Sequence, residues 1–273
     1  VVVICVEGKD AVAATIQITG VTDAAKAFVI NYLPSGTQLG EAATDKLTVD
    51  AVALSFSYGA TILGDGANIS PEALTIWRNA VYMLSGLDVP TTLVENSAYF
   101  LPKNVLYVNQ TGVGQGAGAS APGADPVINM LMADANFEVT YVETAQDGSG
   151  LPALSGFDLV IAQETISSGA AMFTPGGVLG VKDVTIPIIY NKSWAFRNGK
   201  AVTDADAAVT GTQNLSVTAT NTAHPLFKGI DFSGGDDIRI FAEATANDDG
   251  SVGGNKAIDV LNNLEISGSV GSV

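Results

Sequence analysis

Cysteine and histidine are nearly missing from this chain of 273 residues. Cys5 is the only cysteine, so no disulfide can form within the chain, and its place in a predicted apolar strand indicates a small core residue. His224 is the only histidine. Thiol chemistry requires a thiolate beside a base, and Cys5 and His224 lie in different halves of the chain, so such chemistry is not predicted.

Basic residues are also scarce, with 12 Lys and Arg against 28 Asp and Glu and a net charge of −16. No cluster of Lys or Arg provides the basic footprint that a phosphate backbone needs, so nucleic acid and anionic membranes are not predicted partners. No apolar run reaches the roughly 18 residues of a membrane span, and no signal-peptide pattern is present. Because the sequence starts on a strand without Met, we expect a mature or trimmed piece of a longer precursor.

What the chain does contain is apolar and small residues. Hydrophobic residues make up 47% of the chain, enough for two cores of roughly 100 residues each. Charged residues make up only 15%, while Ala, Gly, Thr, Ser and Asn are abundant. This composition is typical of extracellular bacterial proteins and predicts an extracellular or cell-surface location.

An internal duplication is the strongest pattern in the sequence. Three segments recur in the same order about 102, 99 and 96 positions later. They are residues 2–8 with 104–110, residues 58–64 with 157–163, and residues 90–100 with 186–196. Small insertions explain the drift in offset. We therefore predict a first domain at residues 1–102, a second domain of the same fold at 103–245, and a β-rich or linker tail at 246–273.

Apolar strands alternate with helical patterns in both units. Predicted strands lie at residues 1–6, 60–63, 89–94, 104–108, 137–143, 159–162, 185–190, 215–220 and 238–242, with a short segment at 49–56. Predicted helices lie at 23–32, from Ser70 to about Gly86, and at 125–134. Strands that are apolar on both faces and separated by helices indicate a covered parallel sheet. The predicted fold class is α/β, with two tandem flavodoxin-like, or Rossmann-like, doubly wound sheets.

The second unit resembles the class I glutamine amidotransferase-like superfamily, in the flavodoxin-like form of ThuA-like and related secreted domains. The resemblance rests on the strand at 105–108, Phe-Asp-Leu-Val-Ile at 157–161, Ile-Pro-Ile-Ile-Tyr at 186–190 and the His-Pro-Leu-Phe-Lys-Gly stretch at 224–229. It covers most of residues 104–241 and, more weakly, residues 1–100. It implies a flavodoxin-like fold with a nucleophile on a sharp strand-to-helix turn.

Members of that superfamily use a Cys on this turn, with a His and a Glu supplied later in the chain. Strand register places the turn at residues 191–193 in the second unit and 95–97 in the first, and neither contains Cys. Amidotransfer is therefore not predicted. Ser193 with His224 as its base is the alternative catalytic pair. The structural interpretation is that His224, next to Pro225, orders a turn of the backbone.

A glycine-rich stretch follows the strand at 104–108 and suggests a phosphate cradle. Gly112, Gly114 and Gly116 lie in it, and Glu143 ends the next strand, where a ribose-binding acid would lie. Residues 120–124 separate these glycines from the next helix, so its N-terminus would not point at a bound pyrophosphate. A flexible surface loop is the favoured interpretation, and a ligand site is the alternative.

Two acidic, glycine-bent loops offer oxygen ligands for calcium. Asp236 and Asp237 lie in one, and Asp248 and Asp249 lie in the other. Neither loop matches the twelve-residue EF-hand pattern, so solvated turns are favoured and bound calcium is the alternative. No other cofactor is predicted.

These observations favour a non-enzymatic extracellular structural or assembly protein, a cell-surface or filament building block made of degenerate amidotransferase-like domains. The predicted partners are further copies of the chain or other surface proteins. The alternative is a secreted ThuA-like hydrolase acting on carbohydrate or ester substrates.

Overall fold

The computed structural model describes residues 14–15, 30–37, 44–54, 69–90, 102–110, 125–164, 166–167, 169–196, 208–211, 216–219, 221–240 and 258–261. The predicted strands at residues 1–6 and 60–63 lie outside these ranges, as do Cys5 and the turn predicted at 95–97.

The described strands are numbered in chain order. They are β1 (Ala14–Thr15), β2 (Ile30–Leu33), β3 (Ala51–Leu54), β4 (Lys103–Gln110), β5 (Phe137–Thr144), β6 (Leu159–Ala162), β7 (Ile188–Tyr190), β8 (Ala208–Gly211), β9 (Ser216–Ala219), β10 (Asp237–Arg239) and β11 (Ile258–Leu261). The α-helices are α1 (Pro71–Leu84) and α2 (Pro126–Met132). Short 3-10 helices span Leu154–Gly156, Ala171–Phe173, Ser193–Phe196 and Pro225–Phe227.

A six-stranded sheet organises the described chain, in the order β2-β3-β7-β6-β4-β5. Five neighbouring strands run parallel to one another: β3, β7, β6, β4 and β5. The sixth strand, β2, pairs antiparallel with β3. From β4 the chain moves outward to β5 and then crosses to β6 and β7 on the other side of β4, so the direction in which the chain moves across the sheet reverses there. The predicted α/β class is therefore confirmed. Smaller antiparallel sheets join β1, β9 and β10, and β8 and β11.

Strands from both predicted units take part in this sheet. β3 pairs in parallel with β7, with Ala51 opposite Ile188 and Ala53 opposite Tyr190. Within the described residues, the two units therefore share one continuous hydrogen-bonded sheet. The division into tandem domains at residue 102 stays a prediction.

Apolar cores lie on both faces of the sheet, as expected for a sheet covered on two sides. Along β4, Val105 and Tyr107 join a core that includes both α-helices, while Leu106 and Val108 join a core with the segments at 170–196. Side chains alternate between the faces of a strand, so a strand that is apolar throughout contributes to both cores.

Helix α1 begins and ends where its sequence signals predict. Ser70 is the N-cap, and its Oγ accepts the Ala73 N–H at 3.0 Å. Pro71 takes the first helical position, and Gly86 follows the helix with a φ of 69°, in the left-handed region that glycine tolerates. The predicted apolar stripe is buried throughout, at Ala73, Ile76, Trp77, Ala80, Val81 and Leu84.

Tertiary contacts hold α1 against the segment at 224–230. The Asn79 amide donates to the Leu226 carbonyl at 2.8 Å and to the Lys228 carbonyl at 2.9 Å. Lys228 Nζ in turn donates to the Val89 carbonyl after the helix. Neither described helix has the length and apolar character needed to cross a lipid bilayer.

Several predicted elements differ from the structure. The helix predicted at residues 23–32 is wrong at its end, because Ile30–Leu33 form β2, held by pairing with β3 and by a 2.8 Å bond from Tyr32 OH to Asp50. Residues 89–90 are not in a strand, and the strand predicted at 185–190 is confined to Ile188–Tyr190. β4, β5 and β6 lie within one or two residues of their predicted bounds.

We expect Ser70→Ala to lower the free energy of unfolding by about 1–2 kcal/mol, because the N-cap bond to Ala73 is lost together with the bond from Ser70 Oγ to the Arg239 carbonyl. Denaturant titration measures this loss. Thr75→Ala is the matched control, because Thr75 Oγ1 bonds only the Pro71 carbonyl on the same helix. Equal losses in the two variants would contradict a capping role for Ser70.

Candidate functional site

The carboxyl ends of β4, β6 and β7 are where open α/β sheets usually bind ligands, because the chain leaves β4 and β6 in opposite directions there. Five polar side chains occupy this edge and are buried, at Asn109, Gln163, Glu164, Asn191 and Lys192. Parallel pairing brings them together: the Gln163 N–H donates to the Val108 carbonyl and the Asn191 N–H to the Ala162 carbonyl. This edge is the candidate site.

A chain of hydrogen bonds runs across the edge. Asn191 Nδ2 donates to Gln163 Oε1 at 2.5 Å, and Gln163 Nε2 donates to Tyr107 OH at 2.6 Å. Tyr107 OH donates to Asp125 Oδ2 at 2.6 Å. The other oxygen of Asp125 accepts the N–H groups of Val127 and Ile128, so the chain ends at the N-terminus of α2. The network therefore links the end of β7 to a helix through the sheet.

A buried ion pair lies beside this network. Lys192 Nζ donates to Glu164 Oε1 at 2.7 Å and to the Glu164 carbonyl at 3.0 Å. Only 10% of the lysine side chain and 8% of the glutamate side chain are exposed. Removing either partner would leave the other charge buried without this counter-charge, so the pair is costly to break. The pair joins the segments that follow β6 and β7.

Tyr141 on β5 connects Asn109 to Glu143. Asn109 Nδ2 donates to Tyr141 OH at 3.2 Å, and Tyr141 OH donates to Glu143 Oε1 at 3.1 Å. Burial raises the pKa of Tyr141 to about 12; the bond from Asn109 opposes this shift and the Glu143 carboxylate adds to it. Glu143, predicted as a ribose-binding acid, thus accepts a bond from a neighbouring tyrosine.

Ser193 and His224 belong to segments that pack on different faces of the sheet. Ser193 begins the 3-10 helix after β7, whose Ala195 and Phe196 join the core with Tyr190. His224 precedes Pro225–Phe227, whose Leu226 and Phe227 join the core with α1. The Ser193 side chain lies outside the described part of the structure. The Ser193–His224 pair stays a prediction.

His224 orders a turn of the backbone. It is buried, and its Nδ1 accepts the Leu226 N–H at 3.1 Å. An accepting Nδ1 places the proton of a neutral imidazole on Nε2. In a serine hydrolase triad the roles are reversed: Nδ1 donates to a carboxylate and Nε2 takes the serine proton. The bond to Leu226 fits the structural interpretation of this histidine.

The weak ligand and metal candidates are dispersed or lie outside the described residues. Gly112, Gly114, Gly116, Asp248 and Asp249 are outside. Asp236 is exposed on the turn before β10, and Asp237 is exposed at the first position of that strand. In the described ranges, no group of three or more His, Cys, Asp or Glu side chains is arranged to hold a metal ion.

The nearby Asp231 shows how this acidic turn uses its carboxylates. Asp231 Oδ1 accepts the Ser233 N–H at 2.8 Å, and hydrogen bonds from Ser233 lower the pKa of this exposed carboxyl. This carboxylate therefore stabilises a local turn.

Sequence reasoning missed the main members of the edge network. The sequence analysis includes Gln163 only as part of a matched segment and Asn191 only as part of a matched segment and of the predicted turn at 191–193. It assigns Tyr107 only to a strand and Asp125 only to a helix start. The available signal was a polar residue directly after an apolar strand, which occurs at Gln163 and Asn191. Which amides meet follows from the strand order, which the sequence pattern does not specify.

The sequence matches no known protein-family model, no curated protein and no solved structure. The geometry of the chain's own residues therefore carries the functional argument.

We expect Lys192→Met to lower the free energy of unfolding by about 3 kcal/mol or more, because Glu164 would remain buried without its ammonium partner. The matched control is Lys103→Met. Lys103 bonds Asp158 at 3.2 Å, but about a third of each side chain is exposed, so a loss below about 1 kcal/mol is expected. Similar losses in the two denaturant titrations would contradict the structural role assigned to the Lys192–Glu164 pair.

Alkaline titration should distinguish Tyr141 from an exposed tyrosine. The pKa of the Tyr141 hydroxyl is about 12 in the folded protein and about 10 in the unfolded chain. Its contribution to the free energy of unfolding is therefore complete below pH 10 and is lost as the pH rises toward 12. Tyr141→Phe should therefore show a shallower fall in stability over that window. The phenolate difference spectrum of wild type minus variant should have its midpoint near pH 12, and a midpoint near 10 would contradict the assignment.

Proposed function

We propose that this chain is a non-enzymatic structural or assembly protein of an extracellular or cell-surface array, built from degenerate amidotransferase-like domains of flavodoxin-like fold in tandem. One observation carries the proposal. The polar side chains at the carboxyl ends of β4, β6 and β7 are hydrogen-bonded to one another. These bonds hold the segments that follow the strands in place.

The direction of the hydrogen bonds supports this role. The amides of Asn191 and Gln163 donate within the network, and Lys192 donates twice to Glu164. A binding site directs such groups toward a ligand, whereas here they join β6, β7 and the start of α2. His224 likewise supports its own turn through Leu226. These hydrogen bonds fix the positions of the segments they join, so the polar groups serve the structure and do not act on a substrate.

Charge and composition indicate the setting and the partners. With a net charge of −16, the chain would repel nucleic acid and anionic lipid. The proposed partners are further copies of the chain or other surface proteins, at an ionic strength that screens the charges of two copies. The acidic turn at Asp236 and Asp237 is exposed, as a calcium-dependent contact would require. We keep calcium as an optional component of the array.

A secreted ThuA-like hydrolase acting on carbohydrate or ester substrates is the second candidate. It is favoured by acidic and hydroxyl residues near the carboxyl ends of neighbouring strands: Glu143 on β5, Glu164 after β6 and Ser193 after β7. This proposal requires Ser193 or a carboxylate to act on substrate, so it predicts an activity that Ser193→Ala or Glu164→Gln abolishes.

Electron microscopy of the protein purified from its native source tests the first proposal. Regular filaments or sheets, formed without substrate, are the expected result. Dispersed particles of one or two chains at all concentrations would contradict an assembly role. A screen with esters and glycosides on the same preparation tests the second proposal.

We expect His224→Ala to retain assembly. Losing the bond to Leu226 should cost about 1 kcal/mol of stability, as for other lost caps, without changing the surface. His224→Asn keeps a short acceptor at this position and serves as the control. Microscopy and thermal melting measure both effects. A hydrolytic activity that disappears in His224→Ala while the fold is retained would overturn the structural role.

A further inference from the structure

The strand β5 forms one edge of the six-stranded sheet. All eight of its residues, Phe137–Thr144, pair with β4, and in the described part of the chain no second strand pairs with it. An edge strand of this length presents a row of backbone donors and acceptors to any strand that approaches.

The register identifies which backbone groups face outward. The Lys103 N–H donates to the Asn136 carbonyl at 2.8 Å, so Asn136 directs its carbonyl toward β4. Backbone direction alternates along a strand, so Glu138, Thr140 and Val142 also bond toward β4. The N–H and C=O groups of Val139 and Glu143 therefore point away from the sheet.

β5 has few of the features by which natural proteins block an edge. The strand is Phe-Glu-Val-Thr-Tyr-Val-Glu-Thr, with β-branched and aromatic residues and neither Pro nor Lys. Of its two charges, Glu143 accepts a bond from Tyr141 within its own strand, which leaves Glu138 as the exposed charge. A pairing register that keeps Glu138 away from another acid avoids direct repulsion between carboxylates at the contact.

Antiparallel pairing of β5 with β5 of a second copy satisfies this condition. In one register, Val139 lies opposite Glu143 of the second copy, Thr140 opposite Val142, and Glu138 opposite Thr144. No carboxylate then faces a carboxylate, and Val139 and Glu143 exchange backbone bonds in both directions. We propose that this edge is a self-association surface, which joins two copies into a continuous twelve-stranded sheet.

The contact between two β5 strands specifies a first step of the proposed assembly, and it rests on that proposed function. A two-fold β5 contact uses the same surface on both copies and therefore closes after two chains. An extended array would need one further contact elsewhere on the surface. The β5 surface thus predicts that a dimer is the first species formed in solution.

The test compares Val139→Pro with Val139→Ala at about 0.15 M salt, where the charges of the two copies are screened beyond about 8 Å. Both variants lose the valine side chain, but only proline removes the outward N–H, which β4 does not use. Sedimentation velocity over a range of concentrations gives the dimer dissociation constant. We expect Val139→Pro to weaken dimerisation about tenfold or more relative to Val139→Ala, because symmetry removes two backbone bonds.

Hydrogen exchange of the wild-type protein supplies a measurement that requires no variant. The amides of Val139 and Glu143 should exchange more slowly at high than at low protein concentration. The Thr140 amide, which bonds β4, should show no such dependence.

The outcomes separate this proposal from the assembly role. A wild-type monomer at all concentrations, or a dimer equally stable in both variants with unchanged exchange at Val139, overturns the β5 contact. Filaments in electron micrographs would then leave the assembly role intact through another surface. A β5 dimer without any larger array would support the contact and contradict the array.

Discussion

The pairing of β4 with β5 on one side and β6 on the other is the constraint on which the rest of the structure depends. Because β4 is an interior strand with apolar residues pointing to both faces, its side chains alternate between two cores and both faces of the sheet must be covered. The same pairing makes the chain leave β4 and β6 in opposite directions. Together with the pairing of β6 and β7, this brings the polar residues that follow β6 and β7 to one edge, where Gln163 and Asn191 meet.

Burial then determines what that edge can do. Polar groups removed from water must find partners, and here they find one another: amide with amide, tyrosine with aspartate, and Lys192 with Glu164. Such a network specifies the positions of the segments after β6 and β7. In this chain Asn191 and Lys192 hold the turn after β7 in place through their bonds to Gln163 and Glu164. This use of the polar groups is the physical basis for proposing a structural role.

Local signals were sufficient wherever a structure depends on neighbouring residues. The Ser70-Pro71 and Asp125-Pro126 pairs located the starts of both α-helices, because N-caps and first-turn prolines act within one helical turn. The residues 30–33 show the opposite case. Their apolar spacing suggests a helix, but pairing with β3 and the Tyr32–Asp50 bond outweigh that preference.

The sequence by itself determined the α/β class, the starts of the two described α-helices, the two-faced character of the strands and the acidic charge. These properties follow from periodicity, capping and composition, which are local or additive. Only the tertiary structure decided that β3 pairs with β7 across 130 or more residues, that Lys192 meets Glu164, and that β5 lies at an edge of the described sheet. Those contacts join distant segments, and many strand orders are compatible with one pattern of apolar runs, so their identity depends on the packing of the whole chain.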